Sequence, residues 1–482
     1  MNMKRIPLIA LLLASFVLNT LWADEPERVM KAITAGDIFE IVKVLSSPDM
    51  EGRLAGTEGY NRAAKWAASQ FEDWGLKPVY KTGFLQPFSV AYNETRNVDF
   101  SLLLPPKKAG DDDGTVHLTL FEDYGFTLYS GFGDVETEVI FVGFGISEPD
   151  LGWDDYAGVD VRGKIVAFIP GFPNLADQDF SKYRVRQPKM DTADRMGARG
   201  IIQLSSAVVS GLGRYMERLP NVMVGEKVAD LLFHPKGYDF QTVRKLLGDG
   251  HPLTFETGVM ARLKVEGQHH PNSETYNVVG MIEGSDPALK EEYILFGGHL
   301  DHLGPWPALL PGANDNASGS AVVMALARAF SKLSRPPKRS IVFALFSGEE
   351  IGLLGSGYMA AHLPGHPSKP ILYSNHDVNG VGAQLHISGG LTFPKLYRHI
   401  EAVNAQNAIQ PDLTAGEISM SGGNSDYASF TAKGIPAYNT AVRGGSGPGA
   451  HSPESTIYTI TPKIMEDMVR LYFLATYRYA NE

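Results

Sequence analysis

Three short segments of the sequence carry side chains of the types that bind metal ions. His299 and Asp301 lie in the run Gly-Gly-His-Leu-Asp-His-Leu-Gly, and Asp315 follows in Gly-Ala-Asn-Asp-Asn-Ala-Ser-Gly. Glu349 and Glu350 are adjacent in the run Ser-Gly-Glu-Glu. Zinc prefers histidine nitrogens and carboxylate oxygens, and a catalytic zinc site keeps one coordination position open for water. The three segments therefore predict a zinc hydrolase.

Not all of these side chains can bind the same ion, so we expect them to have different roles. His299 and Asp301 do not easily reach one metal from a strand, and we expect His299 to bind while Asp301 orients it. Asp315 precedes a predicted helix, whose amino terminus favours its charge, and its carboxylate is free to bridge two cations. Of the adjacent Glu349 and Glu350, one can bind metal while the other acts as a general base.

Two further candidate ligands lie later in the chain. Asp377 follows the apolar stretch 371–373 at another predicted strand end, and His451 lies in a glycine-rich loop. Ligands of parallel α/β sheets collect at the carboxyl ends of the strands, and most of the candidate residues fall at such ends. We therefore expect them to meet at one edge of a sheet.

The elements that position these residues can be predicted from the spacing of apolar residues. Residues 35–76 are expected to form two helices with a turn-rich loop between them. The later strands are expected over 276–282, 293–297 and 340–346, and an amphipathic helix over 318–333. Strand, helix and strand at these lengths predict an α/β fold, with a mixed, largely parallel sheet flanked by helices.

The pattern of apolar and turn-forming residues changes between about residues 103 and 265. Short β-type runs alternate there with Gly, Pro and Asp turns, which predicts a separate β-rich domain inserted into the catalytic one. The catalytic domain would then consist of residues 24–102 and 266–482. The insertion is expected to contribute no metal ligand, because every candidate lies after residue 298.

Composition narrows the class of protein. The chain has 482 residues, 44% of them apolar, which suffices for two or three domains. It has no cysteine, so disulfides and thiolate ligands are excluded and metal must be held by histidines and carboxylates. The net charge of −11 argues against a nucleic-acid partner.

The first 23 residues predict a secretory signal peptide. A basic start is followed by an apolar run over residues 6–18 and by a small residue before Asp24. The alternative is an uncleaved membrane anchor, for which the apolar run is short. We therefore expect an exported protein, periplasmic or extracellular, with no stable membrane span after cleavage of the signal.

Taken together and in order, the motifs resemble those of the M28 metallopeptidases, which are exopeptidases with two zinc ions. The runs Gly-His-x-Asp-His-Leu-Gly, Asp-Asn-Ala-Ser-Gly and Glu-Glu-x-Gly-Leu-x-Gly-Ser match the family closely, and Met-Glu-Gly-Arg at 50–53 resembles its N-terminal signature. The segment 142–166 resembles part of a protease-associated (PA) domain. The resemblance implies a zinc exopeptidase fold in which 103–265 is an inserted PA domain bordering the substrate cleft.

The resemblance also implies a role for each candidate residue. Two Zn²⁺ ions would bind per chain, with Asp315 bridging them. The implied zinc ligands are His299, Asp315 and Asp377 at one ion and Asp315, Glu350 and His451 at the other. Glu349 would be the general base for a metal-bound hydroxide that attacks the peptide carbonyl, and Asp301 would orient His299.

The sequence departs from the family pattern at two places. Ala450 stands where the family often has a tyrosine that contacts the tetrahedral intermediate, and Tyr427 stands where it often has a histidine. The candidates to supply the missing hydroxyl are Tyr427 and Tyr438. The candidate substrate-binding residues are Asp426, Tyr427 and Arg443, although Asp426 also fits a simple turn and Arg443 a solvated loop.

Several functions are compatible with these motifs. An aminopeptidase would hold a free α-amine near Glu349 and Asp426. A carboxypeptidase of the same fold would need cationic groups, of which Arg443 stands almost alone. A single-zinc cyclase of related fold would lose some ligands, and a non-enzymatic binding protein using the PA domain would lose Glu349 or a ligand, whereas all are present. We therefore expect an aminopeptidase acting on peptides.

The remaining histidines are not expected to bind metal. His302, His376 and His386 are predicted to be structural or exposed, because their neighbours already complete the ligand pattern. The adjacent His269 and His270 precede a proline, which predicts a solvated loop.

Overall fold

A computed structural model describes residues 25–106, 114–175, 178–205, 214–445, 447 and 449–482. The predicted signal peptide, residues 1–23, lies outside the described residues. Within the described residues, no helix combines the length and the apolar character needed to cross a bilayer.

The described strands and α-helices follow one another along the chain in a mixed order. The strands are β1 (Lys77–Pro78), β2 (Leu85–Leu103), β3 (Thr115–His117), β4 (Tyr124–Phe126), β5 (Gly133–Val142), β6 (Ser147–Glu148), β7 (Trp153–Asp154), β8 (Ile165–Phe168), β9 (Gly200–Leu204), β10 (Asn221–Val224), β11 (Thr254–Ile282), β12 (Glu292–His299), β13 (Ser340–Phe346), β14 (Lys369–His376), β15 (Gln384–Ser388), β16 (Thr414–Gly416) and β17 (Ala437–Arg443). The helices are α1 (Glu25–Lys31), α2 (Ala35–Leu45), α3 (Glu58–Asp73), α4 (Gln187–Arg195), α5 (Glu226–Phe233), α6 (Phe240–Gly248), α7 (Gly319–Ser331), α8 (Leu354–Ala361), α9 (Pro394–Asn407), α10 (Tyr427–Thr431) and α11 (Pro462–Ala480).

One sheet runs through the described part of the chain, and its C-terminal strands carry the candidate metal ligands. Its order on that side is β16-β15-β17-β14-β12-β13-β11. The four central strands β17, β14, β12 and β13 are parallel to one another, whereas β11 and β15 pair antiparallel. This arrangement confirms the predicted mixed, largely parallel sheet flanked by helices.

Strand β13 shows why the centre of the sheet is buried on both faces. Successive side chains of a strand point to opposite faces. Phe343 and Leu345 pack into the core that includes α7 and α11, while Val342 and Ala344 pack into the core that includes α8 and α10. Because helices cover both faces of such a strand, nearly all of its side chains are apolar, as they are in β13.

Residues 103–265, for which the sequence predicts an inserted β-rich domain, contain more helix than that prediction indicates. Strands β5, β8, β9 and β10 are parallel in that order, and helices α4, α5 and α6 accompany them. The segment is therefore α/β, and the description as β-rich is incomplete. Helix α4 escaped prediction because most of its residues are polar.

The predicted boundaries of the insertion fall on long strands. Residue 103 is the last residue of β2, but residue 265 lies inside β11, which is 29 residues long. The first part of β11 pairs with β5 and its last part with β13. The sheet thus continues through the predicted boundary, and a separable domain at 103–265 stays a prediction.

The prediction of a solvated loop at the adjacent histidines is wrong. His269 and His270 lie within β11 and are half-buried. The ring of His269 stacks on Tyr215 with centroids 3.9 Å apart, and that of His270 stacks on Tyr92 at 4.5 Å. A register shift between His270 and Ser273 accommodates the proline that suggested a loop.

Candidate metal centre

The carboxyl ends of adjacent parallel strands bring the candidate ligands together. His299 is the last residue of β12, the Glu349–Glu350 pair follows β13, and Asp377 follows β14. Strand β17 leads into the loop that holds His451, and Asp315 lies in the turn before α7. All five residues that the sequence suggests as metal ligands converge at this edge of the sheet.

Asp315 occupies the middle of the cluster because its turn is tied to the neighbouring strand. The side chain of Asn316 donates to the His376 carbonyl at 2.9 Å and accepts from the amides of Gly319 and Val378 at 3.0 and 3.2 Å. These bonds fix the turn between β14 and the start of α7. Asp315 is thereby held beside the ends of both elements.

The ligands fall into two groups that share Asp315. In the first, His299 Nε2 lies 3.2 Å from both Asp315 Oδ1 and Asp377 Oδ1. In the second, His451 Nε2 lies 3.0 Å from Asp315 Oδ2 and 3.3 Å from Glu350 Oε2. One oxygen of Asp315 thus faces each group, so its carboxylate is placed to bridge two cations.

The electrostatics of the cluster favour positive charge at its centre. Burial disfavours protonation of His299 and His451, yet the surrounding carboxylates raise the pKa of both histidines well above the ordinary value. Asp315 is also buried, but the same two histidines hold its pKa well below the usual range. Because the donors are imidazole nitrogens and carboxylate oxygens, the residues fit zinc.

Glu349 lies close to both groups of ligands, but it is not grouped with Asp315. One of its oxygens is within 4.8 Å of ligand atoms of His299 and Glu350. Burial, with help from Glu350 and Asp377, raises the pKa of Glu349 well above its ordinary value. The carboxylate therefore has a high affinity for a proton.

Asp301 positions more of the cluster than the sequence indicates. The Asp301 backbone carbonyl lies 3.1 Å from His299 Nδ1, whereas the nearest carboxylate oxygen is 3.8 Å away. The carboxylate accepts instead from the backbone amides of Glu349 and Glu350, at 3.1 and 3.3 Å. Asp301 thus orients His299 through its main chain and the glutamate pair through its side chain.

Three positioning residues were not assigned a role from the sequence. His302 is buried, and its Nδ1 lies 2.8 Å from Glu350 Oε1. An ionised carboxylate only accepts hydrogen bonds, so the ring donates from Nδ1 to the glutamate, while burial lowers the pKa of His302. The Ser425 hydroxyl donates to Asp377 Oδ2 at 2.6 Å. His302, which the sequence predicts to be structural or exposed rather than a ligand, also lies with Asp315, Glu350 and His451 in a group of side chains close enough together to hold a metal ion.

Arg53 is the third positioning residue, and it is completely buried. Its guanidinium donates to the main-chain carbonyls of Leu45, Leu300, Pro311 and Gly312 at 2.5 to 2.9 Å. It therefore joins the segment after His299 to the turn that carries Asp315. An arginine inside the Met-Glu-Gly-Arg motif was the only sequence signal for this role.

Two of the candidate substrate-binding residues differ in exposure: Asp426 is buried, whereas Arg443 is exposed. Asp426 is buried, and neither carboxylate oxygen meets a donor in hydrogen-bonding geometry within the described residues. Burial raises the pKa of Asp426 to about 6, although His299 and the nearby Ser356 hydroxyl act in the opposite direction. Arg443 is exposed at the end of β17. Burial lowers the pKa of His386 on the neighbouring strand β15, and the charge of Arg443 lowers it further.

The two tyrosines differ in their availability to the cluster. The Tyr427 hydroxyl, at the start of α10, donates to Asn424 Oδ1 at 3.3 Å. The Tyr438 hydroxyl donates to the Phe393 carbonyl at 2.5 Å and accepts from the Tyr397 amide at 3.0 Å. Tyr438 is therefore committed to the start of α9, and the structure does not bring its hydroxyl to the ligands.

Comparison with known sequences identifies the part of the chain that carries this cluster. Residues 277–475 match the sequence model of peptidase family M28. The chain is 31% identical over 187 residues to a probable glutamate carboxypeptidase of Arthroderma benhamiae, and 30% identical over 206 residues to a probable leucine aminopeptidase 2 of Aspergillus fumigatus. These alignments cover 35% and 40% of this chain, but only 24% and 38% of the two relatives.

Solved structures share the fold over nearly the whole chain. An aminopeptidase from Aneurinibacillus sp. strain AM-1 aligns with a TM-score of 0.65 at 23% identity, covering 94% of this chain and 95% of that one. A peptidase M28 precursor from Shewanella amazonensis SB2B aligns with a TM-score of 0.65 at 21% identity, covering 96% of each chain. At this coverage the likeness of fold extends to residues 103–265 as well as to the part of the chain that carries the candidate ligands.

Proposed function

Residues 277–475 of this chain belong to peptidase family M28, and we propose that the protein is an exported, zinc-dependent aminopeptidase. The observation that carries the proposal is the position of Asp315. Its Oδ1 lies 3.2 Å from His299 Nε2 and its Oδ2 lies 3.0 Å from His451 Nε2. A carboxylate with one oxygen in each of two ligand groups suits a site with two metal ions. The basic start and apolar run of residues 1–23 support export.

The chain supplies a complete set of groups for two zinc ions. Those that would hold them are His299, Asp315, Asp377, Glu350 and His451. When bound, the ions would polarise the substrate carbonyl and lower the pKa of a water molecule. Glu349 would accept the proton of that water and pass it to the departing amine, a role that its position beside His299 and Glu350 supports.

The distribution of charge favours a substrate with a free amino terminus. Asp426 is a buried carboxylate whose charge acts on Glu349, so two acidic groups lie near each other beside the ligands. A protonated α-amine would satisfy such groups, since a buried carboxylate needs a partner. A carboxyl terminus would need cations, and Arg443 is exposed on the outer strands of the sheet.

The names of the relatives support both directions of exopeptidase action, one being a probable aminopeptidase and the other a probable carboxypeptidase. The test uses a peptide that the purified zinc-loaded protein cleaves well, together with its N-acetylated and its C-terminally amidated forms. We expect the acetylated peptide to resist cleavage and the amidated one to be cleaved like the parent. Cleavage of the acetylated peptide at the original rate, with loss of cleavage on amidation, would establish the carboxypeptidase instead.

A further inference from the structure

A cleft of about 420 Å³ lies between the catalytic half of the molecule and the inserted segment. Leu54 and Ile351 line it from the catalytic half, and Tyr215 lines it from the insertion. Tyr92 and His269, on the long paired strands β2 and β11, form part of its wall. The cleft is thus built by both parts of the chain.

The cleft begins directly beside the metal centre. Leu54 forms a β-bridge with His302, the residue whose ring contacts Glu350. Ile351 is the next residue after Glu350 in the chain. Two residues of the apolar wall are therefore direct neighbours of residues that belong to the second group or contact it.

The wall offers a hydrogen-bond acceptor whose orientation is fixed. The Asn93 amide nitrogen donates to the Ser130 carbonyl at 2.9 Å, so its oxygen faces His269 Nδ1, 2.7 Å away. Nδ1 must then carry the hydrogen, and Nε2 is left as the acceptor. Burial lowers the pKa of His269, which favours this neutral form.

The same wall presents a flat aromatic surface. The rings of Tyr215 and His269 stack at 3.9 Å with an angle of only 5° between their planes, and the Phe132 ring lies 6.0 Å from that of Tyr215, tilted by 46°. Stacked rings of this kind have little freedom to move. They offer a rigid surface for the side chain of a bound peptide.

We propose that this cleft binds the part of the peptide that remains after the terminal residue is released, and that Tyr215 and His269 select an aromatic or large apolar residue there. The inference rests on the proposed function, because an exopeptidase accommodates a single residue on the terminal side of the scissile bond. The rest of the peptide must occupy space beyond the metal centre, and the cleft supplies it. His269 Nε2 accepts a peptide N–H, and the Tyr215 ring packs against the side chain.

The first test compares a substrate that fills the cleft with one that does not. The ratio of kcat/KM for the tripeptide Leu-Phe-Ala to that for leucinamide is measured in the wild type and in variants. We expect Tyr215→Ala and His269→Ala each to lower this ratio by about three- to tenfold, the size of one aromatic contact or one hydrogen bond. Tyr215→Phe keeps the ring and should keep the ratio within about twofold of the wild type.

The matched control for the histidine is His234→Ala, since His234 is exposed on the inserted segment and does not line the cleft. Its ratio should equal that of the wild type. An unchanged ratio in both Tyr215→Ala and His269→Ala would overturn the proposal. So would an equal loss on the tripeptide and on leucinamide, because it would mean a general disturbance of the metal centre.

Binding without turnover separates this inference from the proposed function. Fluorescence anisotropy gives the Kd of a Leu-Phe-Ala peptide, labelled at its carboxyl end, for Glu349→Gln with and without Tyr215→Ala. Weaker binding in the double variant supports the cleft even if the wild type hydrolyses no peptide, in which case the proposed function alone fails. Hydrolysis by the wild type with equal Kd values leaves the peptidase intact and overturns the cleft.

Discussion

At the scale of the residue, the adjacent Glu349 and Glu350 acquire different roles from their neighbours. Asp301 accepts from both of their backbone amides and so fixes the turn that carries them. Glu350 then directs one oxygen at His302 and the other at His451. Glu349 has neither contact, and its raised pKa suits a group that exchanges a proton.

This division predicts opposite effects of two matched substitutions. Glu349→Gln should retain both zinc ions and lower kcat by at least about a hundredfold, because an amide cannot accept the proton. Glu350→Gln should instead weaken zinc binding at one site. Metal content by mass spectrometry, measured beside kcat on the same preparations, decides between them. Loss of metal in Glu349→Gln with full occupancy in Glu350→Gln would reverse the assignment.

The contact between His302 and Glu350 predicts a loss of metal affinity without the loss of a ligand. His302→Ala removes the donor that holds Glu350 in place, and such changes typically weaken metal binding by about 10- to 100-fold. Competition with a zinc chelator measures the effect at the weaker site. His386→Ala, on the distant strand β15, serves as the control and should bind zinc as the wild type does. Equal zinc affinities in His302→Ala and His386→Ala would show that His302 does not hold Glu350 in place for metal binding.

At the scale of the element, the apolar runs predicted the catalytic half well. The sequence placed β13 at the residues it occupies and α7 to within two residues, because strongly apolar strands and an amphipathic helix have clear periods. It missed that His269 and His270 lie in a strand, since β11 is largely polar there and its pairing with β2 stabilises it. The bonds of Arg53 join residues far apart in sequence, so no local pattern could show them.

The buried hydrogen bonds of Arg53 predict a large loss of folding stability in a variant that lacks the guanidinium group. Arg53→Met would leave buried carbonyls of Leu45, Leu300, Pro311 and Gly312 without their donor, at about 1–3 kcal/mol for each group left unsatisfied. Urea unfolding, followed by circular dichroism, should show a midpoint well below that of the wild type. Arg53→Lys should recover little, because a single ammonium cannot replace the planar fork. A midpoint equal to that of the wild type in Arg53→Met would contradict the structural role.

At the scale of the whole molecule, one sheet runs through both parts of the chain, but the candidate metal ligands come from one part only. Every group of metal-type ligands found among the described residues uses residues after 298. Within the part of the chain that the structure describes, residues of 103–265 and residues near the metal centre line one shared cleft, with Tyr215 on one side and Leu54 and Ile351 on the other. Most candidate ligands could be recognised because they follow a predicted strand or precede a predicted helix, whereas His451 was found in a glycine-rich loop and the assignment of ligands to two ions came from the family resemblance. The shared cleft could not be recognised, because it arises from the pairing of β2 with β11.

The central claim is that Asp315 bridges two metal ions, and a crystal structure of the zinc-loaded protein tests it most directly. Anomalous scattering at the zinc edge should show two ions per chain, roughly 3.5–4 Å apart, with one oxygen of Asp315 on each. No residue from 103–265 should coordinate either ion. A single zinc per chain in crystals grown with excess zinc, or a pair of ions not joined by Asp315, would contradict the account.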